Sequence, residues 1–182
     1  MTAAESPFAP PLARHQLPRA FRDQFLVPGE RLVLEGRMDS VWRHGRWMRP
    51  LFSLLARFDM LFPETGRDVP AALEITPEAD GHAWRREFRF PRRRRFDATL
   101  AWDRRLGRVV ERTGPLTMVW RVRFEPPDTL QIETERALLG GLSVPAPRVQ
   151  AVERALADDR IRVEVRMGRL FGYGGEFRLR RG

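Results

Sequence analysis

From residue 71 onward, apolar and charged residues alternate with a period of two, and this repeat governs what the chain can become. Leu73 and Ile75 alternate with Glu74 and Thr76. Trp84, Phe88 and Phe90 alternate with Arg85, Glu87 and Arg89. Phe96, Ala98, Leu100 and Trp102 form the next set, then Leu116, Met118, Trp120, Val122 and Phe124, then Leu130 and Ile132. Ile161, Val163, Val165 and Met167, followed by Phe171, Tyr173, Phe177 and Leu179, complete the series. Each segment carries one apolar and one charged face, the pattern of antiparallel strands with one wet side. Short turns such as Asp80-Gly81 and Pro126-Pro127-Asp128 permit hairpins. About nine such strands cannot lie flat, because strands twist and one face must be hidden from water. The expectation is an α+β, mainly β fold. It is a curved antiparallel sheet or barrel-like meander of about nine strands with two short helices, lipocalin-like or helix-grip-like.

The first part of the chain supplies the helices. Residues 1–13, rich in Ala and Pro, are predicted to be a disordered tail, leaving 14–182 as a single antiparallel β domain. Pro18 suits the first turn of a short helix that carries Phe21 and Phe25 on one face. Residues 31–42 read as a strand with Leu32, Leu34, Met38 and Trp42 on one side. A second helix is expected within residues 47–62, where Leu51, Leu54, Leu55 and Phe58 are spaced helically. Phe52, Met60 and Phe62 spread apolar character around it, so it is buried on most sides or lies against something greasy. Arg148 to Leu156 fits helix or strand.

Composition narrows the chemistry. The 182 residues include no Cys, which excludes disulfides, thiolate metal sites and Cys nucleophiles. Three His, at 15, 44 and 82, are too scattered to suggest a metal site, and no cofactor is expected. Neither an apolar leader segment nor a run of roughly 18 apolar residues occurs, so a cytoplasmic protein is expected. All 33 cationic residues are Arg, against 24 acidic ones, giving a net charge of +9. Arg keeps its charge and pairs bidentately with phosphate or carboxylate, so an anionic partner or a merely solvated basic surface both fit.

Three sets of residues are candidates for function. Trp84, Phe88, Phe96, Trp102, Trp120, Phe124, Tyr173 and Phe177 fall on the predicted inner faces, where they either line a cavity for an apolar ligand or fill the core. Arg92, Arg93, Arg94 and Arg95, with Arg85, Arg86 and Arg89, form a basic ridge. It either docks on an anionic membrane or, less readily, a nucleic acid, or it guards a sheet edge against aggregation. Glu111 is the third: a carboxylate inside an apolar barrel can serve as acid or base, or simply pair with an Arg. Ser53 and Ser143 have no His in a recognisable arrangement, and Asp158-Asp159 reads as a turn.

Several motifs in order carry a family resemblance. They are Leu17-Pro18, Phe62-Pro63, Trp84-Arg85-Arg86-Glu87-Phe88 and Glu111-Arg112-Thr113-Gly114-Pro115, then Gly140-Gly141-Leu142-Ser143-Val144-Pro145 and Tyr173-Gly174-Gly175. Across roughly residues 14–180 the chain resembles the bacterial family called domain of unknown function 4166. The resemblance implies a bacterial protein and a strand at Arg148 to Leu156, and it brings no established activity. Some relatives are fused behind a saccharopine-dehydrogenase-like nucleotide-binding domain, which implies a reductase-like partner. No Gly-x-Gly-x-x-Gly motif follows a strand here, and Phe62-Pro63 stands where the family prefers Leu-Pro.

These readings favour a non-catalytic binder of a small apolar or amphipathic ligand, such as a lipid. The interior site would be built from Trp84, Phe88, Trp102, Glu111, Trp120 and Tyr173. The alternative is a peripheral module that docks through Arg85, Arg89 and Arg92 to Arg95.

Overall fold

The computed structural model of the protein describes residues 6–26, 30–45, 49–56, 62–145 and 148–181. Three short helices, α1 (Ala9–Leu12), α2 (Arg19–Phe21, continued by a π-helical turn over Arg22–Leu26) and α3 (Arg49–Leu55), accompany eleven strands. The strands are β1 (Leu32–Arg43), β2 (Gly66–Glu78), β3 (Gly81–Arg89), β4 (Arg93–Asp103), β5 (Arg108–Thr113) and β6 (Leu116–Glu125). They continue as β7 (Thr129–Leu139), β8 (Leu142–Val144), β9 (Val149–Ala157), β10 (Arg160–Met167) and β11 (Phe171–Arg181).

Each strand pairs antiparallel with its neighbour in sequence, except that β9 follows β7 along most of its edge while the three-residue β8 occupies the far end. Pairing of β1 with β11 closes the ring into a ten-stranded, lipocalin-like barrel with β8 as an extra strand. Closure suits the sequence, because every apolar strand face then points inward and no long edge is left open. At the closing seam the two backbones come unusually close. A Cβ on Gly36 would collide with the Glu176 carbonyl oxygen, and one on Gly175 with that of Arg37.

Three expectations change. Arg108–Thr113 is a strand that the alternation did not reveal, because Val109 and Val110 are adjacent and both buried. In β1, register shifts between Met38 and Ser40, so Asp39 is a bulge residue that reverses the alternation. Val41 is therefore buried, and Trp42 lies against Gly172 instead of joining Met38 inside. The predicted tail is also packed from Ser6 onward. Pro10 and Pro11 sit in the first turn of α1, where a missing N–H costs nothing. Phe8 and Leu12 are fully buried, and the Ser6 hydroxyl donates to the Phe25 carbonyl oxygen.

Phe8, Leu12, Phe21 and Phe25 together plug one end of the barrel. Phe8 lies 4.6 Å from Phe25 and 5.8 Å from Trp84, and Phe21 meets Phe124 edge-on at 6.3 Å. At the other end Phe62 packs between Phe88, at 4.7 Å, and Phe171, at 5.4 Å. Phe52 of α3 adds to this cap, 5.6 Å from Phe171, while Ser53 and Leu54 face outward. The burial expected of this helix holds at Phe52, and the side chains of Leu51 and Leu55 lie outside those described. Trp47, Arg57, Phe58 and Met60 of the predicted second helix lie outside the described residues. Among the described residues no helix is long and apolar enough to cross a membrane. Arg148 to Leu156 is strand, as the resemblance implied.

Candidate functional site

Between the two aromatic plugs the barrel is not filled. It holds a cavity of about 230 Å³, lined mostly by apolar side chains from the strands and by Phe8 and Phe62 from the plugs. A single water needs only ~10–15 Å³ measured this way, so the space is large enough for an organic molecule. Trp84, Phe88, Glu111, Trp120 and Tyr173 all line it. Trp102 packs partly buried against the core without reaching the cavity. Small residues make part of the room: Ala71 on β2 and Ala151 on β9 face inward where larger side chains would intrude.

A polar cluster interrupts the apolar wall. Arg86 lies two residues from both Trp84 and Phe88 on β3, so the strand's alternation turns it inward. It reaches past β4 to Glu111 on β5, with Nη1 donating to Oε1 at 2.9 Å. Its guanidinium also lies 5.1 Å from the Trp84 ring and 5.2 Å from that of Phe96. Such stacking suits the weakly hydrated, planar Arg head in a dry site. Burial pulls the Arg86 pKa down, but the charge of Glu111 and the hydrogen bond to it lead the effects that outweigh burial and leave the guanidinium raised and fully charged.

Glu153 on β9 is the second interior carboxyl, 4% exposed. Its cross-strand neighbours are apolar, Leu130 on β7 and Val163 on β10. Gln24, from the π-helical turn, donates Nε2 to Oε2 at 2.9 Å. Burial is the largest influence on Glu153 and raises its pKa to about 7, against the lowering effects of Gln24 and Arg86. The Tyr173 hydroxyl is also raised by burial, to about 12, so it remains a neutral donor. Beside this region His82, buried with neither ring nitrogen hydrogen-bonded among the described residues, is lowered to about 4 by burial. The indole N–H groups of Trp84 and Trp120 likewise lack acceptors there.

Sequence reasoning had set Arg86 in the basic ridge and passed over Glu153. The signal for Arg86 was present in Trp84-x-Arg86-x-Phe88, where a strand places all three on one face. For Glu153 the signal was weak, because Ala151 and Ala155, its partners in alternation, are small.

The rest of the ridge behaves differently. Arg85, Arg89, Arg92, Arg93 and Arg95 are exposed on the outside of β3 and β4 and in the turn between them. Glu87 engages Arg89 at 2.8 Å and Arg93 at 3.5 Å, and Asp97 engages Arg95 at 2.9 Å and Arg85 at 4.0 Å. Arg94 turns away from the ridge and clasps Glu64, with Nε donating at 2.8 Å. The six arginines therefore do not form one free cationic surface. Among the described residues no three His, Asp or Glu side chains gather as a metal site.

No curated protein matches this chain. The sequence profile described as domain of unknown function (DUF4166) matches residues 17–177, nearly the whole barrel together with α2, and the chain belongs to that family.

Proposed function

We propose that the barrel binds a small amphipathic molecule in its interior, with an apolar body against the aromatic wall and a polar head at the Arg86, Glu111 and Glu153 cluster. The observation that carries this reading is the cavity of about 230 Å³ in the barrel interior between two aromatic plugs, with charged side chains among the residues of its wall. Ligand pockets combine those properties: a concave interior, a mostly apolar lining and a few placed polar groups. A core selected only for stability would fill such a space, since close packing is the norm in protein interiors. It would also have no need of a buried ion pair, which apolar residues of equal volume can replace without loss of stability.

Docking of an anionic membrane through the ridge has less to support it, because Glu87 and Asp97 already engage four of its arginines. Native mass spectrometry of gently purified protein, followed by extraction of any bound mass, tests the interior site. A reproducible bound mass is expected. It should be absent from Ala151→Phe, which fills the cavity from β9, and retained when Arg93 and Arg95 are both changed to Gln. A mass lost with the two arginines and kept in Ala151→Phe would move the site to the outer surface.

A further inference from the structure

Among the described residues, the charges that line the barrel interior do not balance, and the imbalance has a sign. Arg86 is the interior cation that lines the cavity, and it is held by Glu111 at 2.9 Å. Glu153 shares the same wall, yet its hydrogen-bond partner among the described residues is the neutral amide of Gln24. Flanked by Leu130 and Val163 and shut off from bulk water, it has nothing beside it on β7 or β10 to stabilise a negative charge. From the remaining elements around it, the titratable groups facing the cavity are Arg86 on β3, Glu111 on β5 and Tyr173 on β11. With Tyr173 neutral, the charges of Arg86 and Glu111 sum to zero, and an ionised Glu153 brings the total among the described residues to one negative charge.

Resting on the interior-site reading above, we infer that the head of the bound molecule is a basic nitrogen, a protonated amine that pairs with Glu153 while its hydrocarbon body lies against the aromatic wall. An anionic head, such as a fatty carboxylate, would find the Arg86 guanidinium already engaged and would place a second negative group beside Glu111 and Glu153. A cation completes the site instead, since a buried carboxylate is stabilised when an opposite charge comes within hydrogen-bonding distance. The pairing needs the carboxylate form. With the Glu153 carboxyl raised to about 7 by burial, amine affinity rises about tenfold per pH unit up to neutrality and levels off above it.

The test uses the full chain, stripped of bound lipid, titrated with decylamine, decanol and decanoate below their micellar concentrations and followed by tryptophan fluorescence. At pH 8 decylamine should bind at least about tenfold more tightly than decanol, one charge-assisted hydrogen bond's worth, and decanoate should bind weakest. Glu153→Gln should bring decylamine to the level of decanol in the same variant, and Ala151→Phe should abolish both. Decanoate binding as tightly as decylamine would overturn the inference and leave the interior site standing, as would a preference for the amine that survives Glu153→Gln. Failure of all three compounds to bind would overturn the interior site and the inference together.

Discussion

The inside and the outside of this barrel use the same chemical pair, arginine with carboxylate, under opposite physical conditions. Outside, Arg37 with Asp68 and Arg95 with Asp97 lie in water, where the solvent screens them and competes for every donor. Inside, Arg86 and Glu111 meet with little water around them, and each charge depends on the other. Thus the many arginines of the outer face say little about function, whereas one arginine inside defines a polar end to an otherwise greasy cavity. Number of charges is a poor guide here, and surroundings are a good one.

The sharpest way to break that comparison is to remove one partner on each side. Glu111→Ala leaves Arg86 buried and unpaired, and should lower the unfolding free energy by about 3–5 kcal/mol in a urea melt. Asp68→Asn does the same to Arg37 in full exposure, keeps a residue type that tolerates the left-handed φ of 53° at this position, and should leave the midpoint unchanged. Replacing the interior pair together, Arg86→Met with Glu111→Leu, should recover most of the stability while removing the polar end of the cavity. A large loss for Asp68→Asn, or none for Glu111→Ala, would contradict the contrast.

Glu153 gives the next effect, and its direction follows from proton binding. Its carboxyl is at about 7 in the folded barrel and near 4.5 when exposed, so the folded state holds the proton more tightly. The stability it contributes is complete below pH 4.5 and is lost as pH rises through 7, by about 3 kcal/mol in all. Glu153→Gln should remove that loss and make the stripped protein more stable than the parent at pH 8. His82 has the opposite slope. Lowered to about 4 from 6.5, its contribution is present above pH 6.5 and lost as pH falls through 4. His82→Leu should therefore remove that acid-side loss, leave only the falling Glu153 slope between pH 4.5 and 6.5 in a thermal-melt profile, and leave pH 8 unchanged. Between pH 4.5 and 6.5 the two residues oppose each other, so the parent profile should be flatter than that of either variant.

Much of the barrel was legible in its alternation, because a one-sided strand writes its burial directly into the chain. Leu116 to Phe124 and Phe171 to Leu179 are inward rows just as the period requires. The failures occurred where geometry breaks the period. The bulge at Asp39 reverses β1 beyond Met38, and no residue type announces it. The adjacent Val109 and Val110 hid β5, and with it the strand that carries Glu111. Helix α1 was concealed by prolines that are harmless in a first turn. Two of the three charged cluster residues were hidden for other reasons: Glu153 alternates with the small Ala151 and Ala155, and Arg86 carries a charge that reads as solvent-facing. Arg86 shows that position in the alternation outranks residue type.

Saturation binding of Nile red, an uncharged apolar dye, tests the central claim most directly when run at low and high salt on the parent and on Ala151→Phe. The barrel should take up one dye per chain, with an affinity that does not fall as salt rises, and Ala151→Phe should bind none. Binding that weakens steeply with salt and persists in Ala151→Phe would place the ligand on the basic exterior and contradict the account.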